Sequence, residues 1–523
     1  MGGVPGAHRP PSAGEQQYAP RLSGAAPPLG PPLRCVERKT PASAGFLPLA
    51  FFSLSQDLNV YASITSLTTR GLVAALIIMA ACAKSDDSAA LRSDTVAAAA
   101  DSATAPACTT GTAELTLPAG FCATVFADSI VHARHAAVAS NGDLYITLEG
   151  TRPAPGGQTA GERTGPPPAS FAALRDTNRD GRADVIKRIG TLGNTGVAVA
   201  NGFVYVDEGA QIVRYARSDS ALAPEGKREV VVSGIPLNPG HRARNILVAS
   251  DGSLFLNVGS ATNSCQQKDR GNESPGVDPC TELETRAGIW RYDANKAGQR
   301  FSPAERFATG IRNGMGIAQS PDGKIYATQH GRDQLNANWP KVFPTTKYSA
   351  ENPGEELVQL NAGDAFGWPY CYYSMDQKKL VDAPEYGGDG TKTARCADKK
   401  APVAVYPGHW APMSLLFYTG TSFPARYRNG AFIPFHGSWN RAPEPQEGYR
   451  VVFQPMANGA VSGDYETFAN GFAGVSPAQL QPGTAKHRPM GIAQGPDGSL
   501  FVTDDLGGRI YKITYGVAAP AAP

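Results

Sequence analysis

Gly495-Pro-Asp-Gly-Ser-Leu-Phe-Val-Thr503 is a polar turn that runs at once into residues with the pattern of a β-strand. Five further copies lie upstream: Ala139-Ser-Asn-Gly-Asp-Leu-Tyr-Ile-Thr147, Ala200-Asn-Gly-Phe-Val-Tyr-Val206, Ala249-Ser-Asp-Gly-Ser-Leu-Phe-Leu-Asn257, Ser320-Pro-Asp-Gly-Lys-Ile-Tyr-Ala-Thr328 and Arg428-Asn-Gly-Ala-Phe-Ile-Pro434. Asn-Gly and Asp-Gly are the strongest short hairpin signals, because both central residues of a type I′ turn need positive φ. The residues after each turn alternate or run apolar, as half-buried strands do. Each strand then reaches a glycine: Gly150, Gly209, Gly259, Gly331, Gly437 and Gly507. A hairpin unit cannot bury its own apolar face, so the copies must pack side by side. For four-stranded units this predicts an all-β, six-bladed propeller closed around a central channel. The spacing is uneven, which places the extra length in loops on one face.

Of the 523 residues, 1–68 are rich in Pro, Ala and Gly without a sustained period. Such a composition buries too little apolar surface to offset its ordering entropy. This leader is read as lying upstream of a true start near residue 60. Residues 69–82 follow, with Arg70, the apolar run 71–81 and then Cys82. The run is too short to span a bilayer and suits the h-region of a signal peptide. Met79-Ala-Ala-Cys82 has the small residues of a bacterial lipoprotein box. The expectation is an exported chain, lipid-anchored at Cys82 in the cell envelope or periplasm; a buried core helix is the alternative. Residues 83–111 read as a flexible tether, and 112–517 as the propeller.

A formal net charge of +2 gives no sign of a nucleic-acid surface. Besides Cys35 and Cys82, six cysteines remain. In an exported chain an even set reads as disulfides, and sequence locality selects Cys108–Cys122, Cys265–Cys280 and Cys371–Cys396. No Cys-x-x-Cys-His occurs, so electrons from any redox chemistry would leave to a separate acceptor.

Asp176-Thr-Asn-Arg-Asp-Gly-Arg-Ala-Asp184 sets oxygen side chains at Asp176, Asn178, Asp180 and Asp184, with Gly181 where a metal loop turns sharply. Ca²⁺ takes about 6–8 oxygens, and alternate positions of a tight loop converge. The last acid falls at loop position nine rather than twelve, so the loop is only like an EF-hand. It reads as a structural calcium site, with a solvated acidic turn as the alternative.

Polar segments flank the repeats: Pro239-Gly-His-Arg-Ala-Arg-Asn245, Gly310-Ile-Arg-Asn-Gly-Met-Gly316, Gln329-His-Gly331, Phe435-His-Gly-Ser-Trp-Asn-Arg441 and Lys486-His-Arg-Pro-Met-Gly491. Taken singly, such residues are usually solvated or hydrogen-bonded. Together they resemble the quinoprotein sugar dehydrogenases: soluble glucose, sorbosone and fungal pyranose dehydrogenases. The resemblance runs from Leu117 to Ile513 and is sharpest at Gly310-Ile-Arg-Asn313, Glu355-Glu-Leu357, Phe366-Gly-Trp-Pro-Tyr-Cys371, His436-Gly-Ser-Trp-Asn-Arg441 and His487-Arg-Pro-Met490. It implies a six-bladed propeller, pyrroloquinoline quinone (PQQ) with Ca²⁺, and oxidation of a sugar hydroxyl.

The residue chemistry agrees. A flat tricarboxylate calls for guanidinium or ammonium partners. Charge developing on a quinone oxygen needs a nearby cation. The hydroxyl must lose a proton, and neutral histidine is the usual base near pH 7. The resemblance makes His241 the base and sets Arg312 and Asn313 against the quinone. It gives the Gly331 carbonyl to the cofactor calcium and Arg488 to a PQQ carboxylate. His436 stands where the glucose enzymes use lysine. Those enzymes also have Gly-Pro at Gly331-Arg332 and Gln at His330, which makes PQQ a firmer implication than glucose or the cofactor calcium. Trp368, Tyr370, Tyr372 and Tyr373 read either as a sugar platform or as core. Two other readings of the same face are a non-catalytic propeller binding a glycan or protein, and a calcium-dependent lactonase-type hydrolase. The latter needs a carboxylate-rich central site, and the only calcium-type acid cluster in the sequence is the Asp176 loop.

Overall fold

Six sheets with at least four strands each make up the computed structural model, which describes residues 111–149, 169–237 and 240–516. Each predicted turn joins the innermost strand of a blade to the second. The innermost strands are Ala133–Val138, Val197–Ala200, Ile246–Val248, Ile317–Gln319, Leu416–Phe417 and Pro489–Gln494, for blades 1 to 6 in chain order. Each packs beside the next, and the blade 6 strand returns to blade 1 and closes the ring. The last blade borrows its outermost strand from the start of the domain: Phe121–Ala127 pairs antiparallel with Ile510–Tyr515.

The turn chemistry differs from expectation. Only Asn201-Gly202 has positive φ at both residues. At Asn141-Gly142, Asp251-Gly252 and Asp497-Gly498 the glycine alone is left-handed. There the Asn or Asp side chain accepts the N–H two residues on, from Asp143, Ser253 and Ser499. That local bond competes with the I′ geometry and gives a tight turn followed by a left-handed glycine.

Apolar side chains fill the six seams between neighbouring blades rather than one centre. The seam between blades 5 and 6 is aromatic, with Phe121 edge-on to Phe423 and Phe468 at 4.7 and 4.9 Å. This is the packing that a repeat with an unburied face requires.

The long loops gather on the face opposite the repeat turns, over blades 3 and 4. There the disulfides Cys265–Cys280 and Cys371–Cys396 brace a cap. The cap holds two short helices, Leu335–Asn338 and Thr346–Glu351, and the hairpin of Cys371–Ser374 with Lys379–Asp382. Its own small core is Leu335, Phe343, Tyr372, Val381 and Ala383. Cys122 is also disulfide-bonded, to a partner outside the described residues. Cys108, the leader, the signal segment with Cys82 and nearly all of the tether lie outside them too.

Candidate active site

Topology brings the polar segments together. Each lies just before an innermost strand or just after a second strand, so all emerge on the capped face. His241 precedes Ile246–Val248, Arg312 and Asn313 precede Ile317–Gln319, and Gly331 follows Ile325–Gln329. His436 follows Ala431–Phe435, and Arg488 precedes Pro489–Gln494.

The first group sits over blades 3 and 4. The His241 N–H donates to Ser260 O at 2.9 Å, and the Ser260 N–H donates to Arg312 O at 2.8 Å, which ties base and arginine through one residue. The imidazole Nδ1 lies 3.1 Å from Ser260 O and 3.0 Å from Ser260 Oγ. A carbonyl only accepts, so Nδ1 carries the proton and Nε2 keeps a free lone pair. Burial, then the charge of Arg312, holds this imidazole well below 6.5, so it is neutral at pH 7. Gly259 makes room for it: a Cβ there would lie 2.6 Å from the His241 Cβ and 2.5 Å from its carbonyl oxygen.

Arg312 is buried and heavily engaged. Nε donates to Asn263 O, Nη1 to Gly331 O, and Nη2 to Asn263 Oδ1 and Asp333 Oδ2, at 2.8–3.1 Å. These use four of the five guanidinium N–H groups. The neighbouring Asn313 Oδ1 is buried without a hydrogen-bond partner, as is Ser264 Oγ. His330 differs from His241: Nε2 lies 2.8 Å from Pro412 O and Nδ1 3.3 Å from Asn313 Nδ2. Both of its nitrogens are occupied, and burial lowers its pKa to about 4.

The second group joins blades 5, 6 and 1. Arg488 donates to the carbonyls of His436 and Gly437 at 3.0 and 2.6 Å. His436 Nε2 is 2.7 Å from Asp505 Oδ1, and Arg134 pairs with Asp505 and Glu149. Burial and the charge of Arg488 lower His436 to about 3, so it is neutral and does not supply the charge of a lysine. The cations at this edge are Arg488 and Arg134.

A family description, TrAA12-like, matches residues 115–516, nearly the whole described propeller. The chain belongs to the TrAA12-like family. Among curated relatives, the PQQ-dependent pyranose dehydrogenase of Coprinopsis cinerea is 27% identical over 337 residues, 56% of this chain and 42% of that protein. An uncharacterized protein of Borreliella burgdorferi is 30% identical over 213 residues, 40% of this chain and 49% of that one. The chain thus spans less than half the length of each. The holo PQQ domain of the C. cinerea pyranose dehydrogenase superposes with a TM-score of 0.60 at 19% identity, covering 78% of this chain and 99% of that one. The calcium structure of the Trichoderma reesei family AA12 protein gives 0.60 at 18%, covering 79% and 98%. These likenesses establish the TrAA12-like fold.

In this TrAA12-like propeller the Asp176 loop stands apart from the other candidates. It joins the two outer strands of blade 1, Phe171–Arg175 and Val185–Ile189, on the face opposite the cap. Its oxygens accept loop N–H groups: Asp176 from Asp180 and Gly181, Asn178 from Asp180, and Asp184 from Thr177 and Asn178. Asp184 Oδ2 also accepts from the Thr177 hydroxyl and is fully used, while the other oxygens of Asp176, Asn178, Asp180 and Asp184 keep lone pairs. The three carboxylates do not bring one oxygen each within 4.8 Å of one another.

Near Gly331 the donors do not suit a divalent cation. The Gly331 carbonyl already accepts from Arg312, and the next side chain, Arg332, is a buried guanidinium paired with Glu385. The aromatic cluster is cap core: Trp368 Nε1 donates to Asn263 O, the Tyr370 hydroxyl accepts from the Cys280 N–H, and the Tyr372 hydroxyl meets that of Tyr348. Trp368 and Tyr372 still line a narrow cavity with Ser264, Arg312 and Gln329. Sequence reasoning missed Asn263, Arg270 and Asp333. Of these, only Asp333 had a local signal that could have found it, its place two residues after Gly331.

Proposed function

We propose that this propeller is a PQQ-dependent sugar dehydrogenase that oxidises a hydroxyl of a pyranose or other aldose. The observation that carries the proposal is His241: a neutral imidazole with Nε2 free, one residue-to-residue link from a buried arginine. The remaining Arg312 N–H, Arg488, the buried Asn313 Oδ1 and Ser264 Oγ fit a flat, acidic, hydrogen-bonding cofactor such as PQQ. When bound, such a group would supply the two-electron acceptor for the hydride leaving the sugar carbon. Arg312 would hold a fixed positive charge where negative charge develops, at no reorganisation cost. His241 Nε2 would take the hydroxyl proton, with Ser260 fixing its tautomer. The cap residues Trp368, Cys371 and Tyr372 wall the narrow cavity.

Support comes from family membership, the pyranose dehydrogenase relative and this geometry. The test is reconstitution with PQQ, with and without Ca²⁺, followed by dye reduction against a panel of sugars. Reduction with at least one aldose is expected. Sugar binding without dye reduction would favour the non-catalytic glycan-binding reading. The same proposal includes export with a lipid anchor at Cys82, a separate electron acceptor, and a structural Ca²⁺ in the Asp176 loop. The two cap disulfides support an oxidising compartment. Mass spectrometry of the native N-terminus tests the anchor: a lipidated Cys82 is expected, and an intact end upstream of residue 70 overturns it.

A further inference from the structure

Asp333 is the hub of the cap-side polar network. Its Oδ2 accepts from Arg312 Nη2 at 2.9 Å and from Arg270 Nη2 at 2.8 Å. Its Oδ1 accepts from Asn440 Nδ2 at 2.7 Å. Its backbone is clamped by Asn263 in both directions: the Asp333 N–H donates to Asn263 Oδ1 at 2.9 Å, and Asn263 Nδ2 donates to Asp333 O at 3.0 Å. Asn263 is also the second anchor of Arg312, through its own carbonyl and Oδ1. Loops from blades 3, 4 and 5 therefore meet on one carboxylate. A guanidinium with four N–H groups fixed in this way has one orientation open to it.

We propose that Asp333 is the positioning residue of this site, holding Arg312 so that its single remaining N–H, on Nη1, meets the anionic cofactor. The inference rests on the PQQ reading above. It adds that two guanidiniums, Arg312 and Arg270, meet on the Asp333 carboxylate, with Asp269 at 4.0 Å as a further counter-ion of Arg270, which fixes both cations on a rigid frame for an acidic ligand. Geometry of this kind is sensitive, since a displacement of about 1 Å at a reacting group can cost on the order of 10²-fold in rate.

The discriminating variant is Asp333→Asn. It keeps size and shape but replaces an acceptor with a donor, and both carboxylate oxygens already face donors. One of Arg312, Arg270 or Asn440 must lose its partner, while a negative charge leaves an anion site. For the variant, kcat is expected to fall by about 10–10²-fold, the KM for sugar to stay within about twofold, and PQQ affinity, read by fluorescence quenching, to be equal or tighter. A residue that only supports the fold would instead lose cofactor affinity along with melting temperature.

A second readout needs no cofactor. Arg312 is expected to be protected from phenylglyoxal in the parent and modified in Asp333→Asn, as read by peptide mass mapping. Unchanged kcat, or equal protection of Arg312 in both proteins, overturns the proposal. A parent that binds no PQQ overturns the cofactor reading, and the protection experiment then decides separately whether Asp333 holds Arg312. If Asp333→Asn does not accumulate as folded protein, Asn440→Ala removes the donor to Oδ1, together with the N–H that Asn440 gives His409 Nδ1, and leaves the carboxylate in place. It is expected to give the same pattern with a loss of about 3–10-fold, and no change in Arg312 protection overturns the proposal there too.

Discussion

His241 concentrates its chemistry on one nitrogen. With Nδ1 committed to Ser260, only Nε2 can accept a proton. On the proposed reading, His241→Ala should leave PQQ binding nearly intact, because Arg312 and Arg488 would hold the cofactor, while turnover falls by roughly 10²–10⁴-fold. Arg312→Ala should lower both turnover and cofactor retention. Burial and the Arg312 charge lower the His241 pKa, and a base works only when neutral. The rate in the parent should therefore show no loss as pH falls through 6.5, and should fall only as pH drops through the lowered pKa. A limb centred at or above 6.5 would remove His241 from the role. Arg312 and Asn313 were readable from a short motif because the motif is local. Asn263 and Asp333 were not. Each earns its place through contacts with residues far away in sequence, and neither residue type in a loop signals chemistry by itself.

At the level of elements, the six turns were readable because a polar turn and a following apolar strand are both local patterns. The type of turn was misread because the Asp and Asn side chains capture backbone N–H groups, an interaction that a dipeptide does not reveal. The cap was visible only as uneven spacing and paired cysteines. Its helices are too short to carry a period, and its core forms between segments that have no repeat. The Asp176 loop is the element that responds to metal on the calcium reading. Ca²⁺ should raise the melting temperature of the parent, a chelator should reverse this, and Asp180→Ala should lose most of the response. An equal chelator response in both proteins would leave the loop as a solvated turn.

For the molecule as a whole, the buried histidines set the behaviour in acid. His330 and His409 each donate one ring N–H to a carbonyl and accept from a side-chain amide at the other nitrogen, as neutral imidazoles do. Burial lowers His330 to about 4 and His436 to about 3, and it lowers His409 and His241 as well. Each binds its proton more readily unfolded, at 6.5, than folded. The stability they confer is complete above 6.5 and is lost as pH falls through the folded values. Glu355 and Glu356, pushed up by burial to about 8, act in the opposite sense: their contribution is complete below 4.5 and is lost as pH rises through 8. Between pH 7 and about 5 the two sets oppose one another, so Glu356→Gln, which removes one opposing carboxyl, should show a steeper fall in urea midpoint than the parent. An equal slope in both proteins would contradict burial of Glu356 as a neutral carboxyl.

The seam that closes the ring has a mechanical consequence. Phe121 pairs with Tyr515 and Ala127 with Ile510, so the first and last strands leave the ladder at the same end. A load drawn between the two ends of the disc would part this ladder one hydrogen-bonded pair at a time, as a zipper opens, rather than shearing all pairs at once. The strand that completes the ring is thus also the place where the molecule yields first under tension, and the aromatic packing of Phe121 against Phe423 and Phe468 is what stands behind it.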